Sequence, residues 1–353
     1  MDQKSLKFSV CIPAYNRANV LPELLDSILS QSFKEYEIVI NEDASPERSL
    51  IRQIVETYSR KFPNRIRFFE NERNMGYDAN LRSLIERSNA EYCVFMGNDD
   101  LMCPGALNTI AEKISSFPKV GVYLRSFSAF EGAPSNIVQT FKYFDRTLFF
   151  PAGAQTISTF YKRCVVIPGV TFHRATALRF ATAQFDGTLL YQIYLVANIL
   201  VEWNGVFSPE IVTLYRNGGI PDFGNSASEK GKFVPQKRTT ESSVGFMKGM
   251  LEIAKSVENT RQVNIYLPIL KDLSNYSYPF LSIQADKPVG EFVKYYFSLI
   301  RLGFGRQPLF HIYFYSILIL GVPNMERIIA WIKLRLGHTP ALGSVYKGES
   351  KSL

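Results

Sequence analysis

Histidine is almost missing from the 353 residues: His173, His311 and His338 are the whole complement. A histidine-rich metal centre or a histidine-centred nucleophile is therefore not expected. Cysteine is scarce as well. Cys11, Cys93, Cys103 and Cys164 include no CxxC pair, and Cys11 and Cys93 lie inside apolar runs. They read as buried, reduced thiols of a cytosolic protein, not as a disulfide framework or zinc site. No uncharged apolar run reaches the roughly 18 residues of a spanning helix, so none is expected. The first apolar run, Phe8 to Ile12, is short, stops at Pro13 and lacks a cleavage-site pattern, so no secretion signal is expected. Repeats and low-complexity tracts are absent. The charge balance is +8, from 40 Lys and Arg against 32 Asp and Glu, which favours an anionic partner. The basic residues are dispersed among acids without a nucleic-acid-binding motif, so nucleic acid is not the expected partner.

An apolar fraction of 46% and a charged fraction of 20% suit a folded soluble chain. The length suggests two domains, or one large domain with an appendage. Over the first 125 residues two periodicities alternate. FSVCI (from Phe8), EIVI (from Glu37), RIRFF (from Arg65), YCVFM (from Tyr92) and VGVYL (from Val120) read as strands. Helical spacing of apolar residues runs through 20–31, 49–62, 79–88 and from Pro104. Strands alternating with helices predict an α/β fold, doubly wound around a mostly parallel sheet. Ligands of such sheets sit beyond the carboxyl ends of the strands. Each strand there runs into a polar segment: PAYNRAN, NEDASPE, NERNMGYDAN and GNDD. Their convergence predicts a site for a charged, polar ligand.

Farther on, 127–150 reads as an aromatic insertion, 153–163 as a helix, VVIPGVTFHR as a strand and 189–203 as a helix. RNGGIPDFGNSASEKGKF is a loop rich in Gly, Asn and Ser. Beyond about Val234 strand alternation disappears and the chain reads as helical and aromatic.

VCIPAYNRANVLPELLDSILSQSFKEYEIVINEDAS, NERNMGYDANL and FMGNDDLMCPGAL, in this order and spacing, resemble the family 2 glycosyltransferases. The resemblance covers the first 125 residues and extends to about residue 220. FDGTLLYQ followed by YRNGG is similar to bacterial surface-polysaccharide members, including the abequosyltransferase-like branch of O-antigen assembly. The resemblance implies a GT-A fold over 1–230, with nucleotide-sugar binding in 1–125 and the acceptor side in 126–230, followed by a helical C-terminal region, 231–353.

It also implies a chemistry. When a sugar leaves its nucleotide, negative charge develops on the diphosphate, and a divalent cation, Mn2+ or Mg2+, stabilises it as a Lewis acid. Hard cations take carboxylate oxygens, with phosphate and water completing the shell. Asn98-Asp99-Asp100 resembles the family's DXD-type motif with Asn for the first Asp. Asp100 is the expected metal ligand; Asn98 and Asp99 are expected at the nucleotide sugar, although an Asp pair here also suits a helix cap. Glu42 and Asp43 match the acidic position that holds the base or ribose, Asp43 the better. Pro13, Ala14, Tyr15 and Asn16 match the first turn, with Tyr15 suited to base stacking. Arg17 is either a donor contact or a solvated charge. Asn74, Gly76 and Asn80 match the third motif. Arg216, with Gly218-Gly219, is expected to bind the diphosphate when its loop closes.

Inverting family members use a carboxylate to deprotonate the acceptor hydroxyl. Phe185-Asp186 matches the family pattern, but the following Glu-Asp place reads Tyr191-Gln192. Asp186 is the expected base, with a helix N-cap as its other reading; Asp222 and Glu229 are reserves. The last 64 residues hold Lys294, Arg301, Arg306, Arg327, Lys333, Arg335, Lys347 and Lys351 against Glu291, Glu326 and Glu349. Interleaved aromatic and aliphatic runs, with Phe310 to Val322 too short to span, suit either an anionic membrane surface or a packing or dimer element. The expectation is a cytoplasmic transferase, peripheral on the inner face of the cell membrane. It would use a nucleotide-sugar donor and a carbohydrate or lipid-linked acceptor. The rival is a catalytically impaired sugar- or nucleotide-binding scaffold. A nucleotidyltransferase is disfavoured because PAYNRAN lacks the glycines of a phosphate loop.

Overall fold

The computed structural model describes residues 6–219 and 221–336. The chain opens with β1 (Phe8–Ala14), α1 (Leu21–Leu29), β2 (Tyr36–Glu42), α2 (Arg48–Lys61), β3 (Ile66–Glu70), α3 (Tyr77–Arg87) and β4 (Tyr92–Phe95). β1 pairs in parallel with β2 and β4, and β2 with β3. Strands β2 and β4 are buried at every residue. That is why their apolar runs are continuous instead of alternating. Helix α1 buries Leu21, Leu24, Leu25 and Ile28 on one stripe, and Pro22 sits in its first turn, where no amide partner is lost.

The second half adds β5 (Leu101–Met102), α4 (Ala106–Ser115), β6 (Val120–Phe130), β7 (Ile137–Phe141), β8 (Leu148–Phe150), α5 (Ala154–Phe160) with a 3-10 turn to Cys164, β9 (Thr171–His173), α6 (Arg174–Arg179), α7 (Tyr191–Ile199) and β10 (Asn204–Arg216). All strands form one mixed sheet in the order β3-β2-β1-β4-β9-β6-β10-β5, with β7 on β6 and β8 on β10. β10 lies parallel to β6, whereas β9, β5, β7 and β8 pair antiparallel. The sheet is thus parallel across β1 to β4 and mixed beyond. The aromatic stretch expected as an insertion supplies β7 and β8. Only the end of VVIPGVTFHR is strand; its beginning is an irregular strap. β10 is unforeseen, because Pro209 and three register shifts interrupt its alternation.

The remainder is helical, as expected: α8 (Thr240–Arg261), α9 (Tyr266–Asn275), α10 (Tyr278–Gln284), α11 (Val289–Arg301) and α12 (Pro308–Leu336). Thr239 and Ser242 form a capping box that starts α8. One apolar cluster runs from Leu81 and Phe172 through Leu195 to Ile253, Leu273, Tyr295 and Phe310. The C-terminal helices therefore pack on the sheet's α7 side. Tyr161 donates to the Met250 carbonyl at 2.7 Å, and Lys162 meets Asp272 at 2.9 Å. A second cluster, with Val10, Leu24, Ile38 and Leu107, fills the other face. Helix α12 breaks at Gly321 (φ 74, ψ 160), two residues before Pro323. By length and composition Pro308–Ile329 suffices to cross a membrane, so the apolar helix is longer than Phe310 to Val322 suggested. The side chains of Lys333 and Arg335, and all of Lys347, Glu349 and Lys351, lie outside the described residues.

Candidate active site

The carboxyl ends of β1, β2, β4 and β10 open into one pocket of about 290 Å³. Of the expected residues, Pro13, Tyr15, Arg17, Asp43, Asn74, Gly76, Asn80, Asn98, Asp99, Asp100 and Arg216 line it. The turn after β1 is strained: Asn16 (φ 54) and Arg17 (φ 62) are consecutive left-handed residues with side chains. Each such residue costs on the order of 1–3 kcal/mol unless its surroundings hold it. The Asn98 amide does so, donating to the Tyr15 carbonyl at 3.3 Å and the Asn16 carbonyl at 2.9 Å. That explains the asparagine where the family pattern has an acid: a carboxylate would face two carbonyls with no proton to offer. The held turn directs the Arg17 guanidinium onto Asp99.

Asp100 is 2% exposed, and its Oδ1 accepts the Arg216 amide at 2.9 Å. Burial pushes its pKa up to about 6, against the lowering effect of that amide and of Arg17, Arg125 and Arg216. Arg216 also donates to the Asp99 carbonyl at 2.8 Å and pairs with Glu23 at 2.5 Å. Among the described residues no group of three or more His, Cys, Asp or Glu is placed to hold a metal. Two neighbouring carboxylates nevertheless fit a hard cation that shares its shell with a diphosphate and water. A Cβ at residue 97 would come 2.3 Å from Asp100 Oδ2, so Gly97 leaves that oxygen its space in the pocket.

Asp43 accepts from Asn71 at 2.7 Å and from the amides of Met75 (2.8 Å) and Gly76 (2.9 Å), which ties the third motif to β2. Burial raises its pKa. Glu42, Ala14 and Asn16 are not in the lining. Glu42 is fully buried and its oxygens accept from the amides of Ala44 and Ser45 and from Arg48, so its carboxylate is a structural cap. Ala14 is core. Asn16 instead donates to Asp222 at 2.6 Å.

The loop after β10 closes one side. Gly219, Pro221, Asp222, Phe223 and Glu229 line the pocket. Glu229 is buried, accepting from the amides of Tyr77 (2.8 Å) and Gly224 (2.9 Å). Gly76 (φ 90) permits this closure, since a Cβ there would stand 2.6 Å from Ser226 Oγ.

Asp186 is not brought into the pocket. Both its oxygens accept from Arg82, at 2.7 and 2.9 Å. Nor does its carboxylate cap the next helix. Asp78 does, accepting from the amides of Thr188 (3.0 Å), Leu189 (2.9 Å) and Tyr191 (2.9 Å). Burial pushes the Asp78 pKa up to about 6 despite those amides. Tyr77, Tyr215, Phe223 and the strap Val165, Val166, Ile167 and Pro168 also line the pocket. Sequence reasoning missed them. For the strap, the signal was the Pro-Gly turn at 168–169, read instead as mid-strand.

Residues 9–179 match the profile of Glycosyl transferase family 2. These residues form a family 2 glycosyltransferase domain. The chain is 31% identical over 110 residues to a GalNAc(5)-diNAcBac-PP-undecaprenol beta-1,3-glucosyltransferase of Campylobacter jejuni, covering 30% of this chain and 34% of that protein. It is 30% identical over 118 residues to the abequosyltransferase RfbV of Salmonella typhimurium, covering 33% of this chain and 34% of that one. The chain thus matches about a third of the length of these curated relatives. Staphylococcus aureus TarS 1-349 in complex with UDP-GlcNAc superposes with a TM-score of 0.59 at 17% identity, over 94% of this chain and 93% of that one. The Pyrobaculum calidifontis mannosyltransferase PcManGT with GDP-Man and Mn2+ does so with 0.50 at 13%, over 91% and 88%. These neighbours establish the GT-A fold of the family 2 domain.

Proposed function

We propose that this chain transfers a sugar from a nucleotide-sugar donor to a carbohydrate acceptor on a lipid carrier, during synthesis of a bacterial surface polysaccharide. The observation that carries the reading is the juxtaposition of Asp99 and Asp100 with the loops after β1 and β2 in one pocket. Tyr15 and Asp43 flank the nucleoside, and Arg216 and Arg17 meet the diphosphate. Asp100, with Asp99, would hold a divalent cation, which would stabilise charge on the leaving diphosphate. Asp222 is the general base. It lines the pocket, its Oδ2 is oriented by Asn16, and from there it takes the proton of the acceptor hydroxyl. Attack opposite the diphosphate inverts the anomeric configuration. The similarity to the Campylobacter jejuni GalNAc(5)-diNAcBac-PP-undecaprenol beta-1,3-glucosyltransferase supports the acceptor class.

The lipid carrier places the enzyme at the inner face of the cell membrane. Ile312, Tyr315 and Ile319 form an exposed stripe on α12, with Arg306 and Arg327 at its flanks, and support docking on an anionic leaflet. A catalytically impaired scaffold is the second reading, favoured by Gln192 at the place of the family's acidic pair. The test is release of nucleoside diphosphate from a panel of nucleotide sugars with Mn2+ and a polyprenyl-linked acceptor. Acceptor-dependent release supports the transferase; tight nucleotide binding without release supports the scaffold.

A further inference from the structure

Two arginines stand at the Asp99-Asp100 pair, and the scaffold holds only one of them. Arg216 donates to the Asp99 carbonyl at 2.8 Å, pairs with Glu23 and lies 4.7 Å from the centre of the Phe130 ring. Arg17 is fastened differently. Among the described residues its guanidinium donates to one group, the Asp99 carboxylate, at Oδ2. Its side chain is 34% exposed, against 12% for Asp99, and it lines the pocket. Gly219 leaves the guanidinium its room, since a Cβ there would come 3.3 Å from Nη2. The backbone beneath Arg17 is fixed, because Asn98 ties down the turn. Arg17 therefore leaves Asp99 by rotation about its side-chain bonds alone.

The charges decide what this contact does. Two carboxylates and two guanidinium groups sum to zero, so with Arg17 on Asp99 the pair offers a divalent cation little net attraction. Guanidinium and cation also compete for the same oxygen. A diphosphate carries more charge than one carboxylate and fits the guanidinium fork as well. Resting on the transferase reading above, we infer that Arg17 is a stand-in cation at Asp99, which yields that carboxylate to a metal ion only when a diphosphate takes the guanidinium. Metal and nucleotide then bind as a pair, each strengthening the other by the same factor. Asp100 stands outside the competition: its Oδ1 accepts the Arg216 amide, and its Oδ2 keeps the space that Gly97 gives it.

The experiment reads the binding of Mn2+ alone, from the paramagnetic resonance signal of free Mn2+, in the wild type and in Arg17→Gln. Arg17→Asn serves as a second variant, because asparagine tolerates the left-handed backbone at this position. Mn2+ should bind both variants at least about tenfold more tightly than the wild type, within the range usual for coupled sites. In an Asp99→Asn background Arg17→Gln should bring no gain, which separates competition for that carboxylate from a general loss of positive charge. Without metal, calorimetry should show the best-binding of UDP, GDP, CDP and dTDP weakened several-fold by Arg17→Gln. Equal Mn2+ affinity in the wild type and both variants, a gain that survives Asp99→Asn, or nucleotide affinity unchanged by Arg17→Gln would overturn the assignment. Failure of all four nucleotides to bind the wild type would instead overturn the transferase reading, and the Mn2+ comparison would still decide whether Arg17 guards Asp99.

Discussion

Asp100, the expected metal ligand, and Asp186, the expected base, are treated differently by the molecule. On the nucleotide side, parallel strands end side by side, and the loops beyond them leave Asp99 and Asp100 in the pocket with arginines around them. On the other side the wall is an irregular strap whose carbonyls need buried donors. There the polar residues are drawn into the scaffold: Arg125 and Gln192 hold the strap, Arg82 holds Asp186, and Asp78 holds the turn before α7. Beyond the parallel strands Glu42 and Asn98 also serve the scaffold, yet Asp99 and Asp100 are left at the pocket; beside the strap no carboxylate is.

Removing the charge from the nucleotide side should have the largest effect. Asp100→Asn should lower turnover by about 1,000-fold, since a cation on the leaving group is worth several kcal/mol at the transition state. Its melting temperature at pH 7 should not fall, because burial already disfavours the ionised form. The same carboxylate sets an acid limb. As pH falls through about 6, Asp100 gains a proton and kcat/KM declines; added Mn2+ competes with that proton and moves the limb to lower pH. A pH profile at two Mn2+ concentrations checks both statements. For stability the sign is opposite. The raised pKa makes protonation of Asp100 favour the native state. That contribution is fully present below the ordinary carboxylate range and lost as pH rises through about 6.

Across the cleft, Asp222→Asn should lower turnover by about 100-fold with nucleoside diphosphate binding intact, whereas Asp186→Asn should lower it by less than about tenfold. Comparable losses in the two would erase the contrast drawn between the two sides. Asp78→Ala leaves three amides without their acceptor and should destabilise the protein by about 2 kcal/mol, read from denaturant unfolding. The smallest effect concerns α12. Ile319→Glu should weaken co-sedimentation with anionic vesicles several-fold and leave turnover of a soluble acceptor unchanged.

The same contrast decides what the sequence could tell. The first four strands and their helices are legible because apolar periodicity and topology coincide there, and the strand ends then carry Asp43, Asp99 and Asp100 into one pocket. β10 is hidden by Pro209 and its bulges, and the strap by a Pro-Gly turn inside an apolar run. Glu42 and Asp43 look alike in sequence; only the fold shows that Glu42 caps its own turn. The partner of Asp186 lies 104 residues away, so no local pattern marks it.

Asp99 and Asp100 are proposed as the cation-binding end of a nucleotide-sugar pocket. Calorimetry of UDP, GDP, CDP and dTDP, with and without Mn2+, tests this in the wild type and in Asp100→Asn. The predicted result is one preferred nucleotide whose affinity rises at least about tenfold with Mn2+ in the wild type and not in the variant. Equal affinity with and without Mn2+ in the wild type would contradict it.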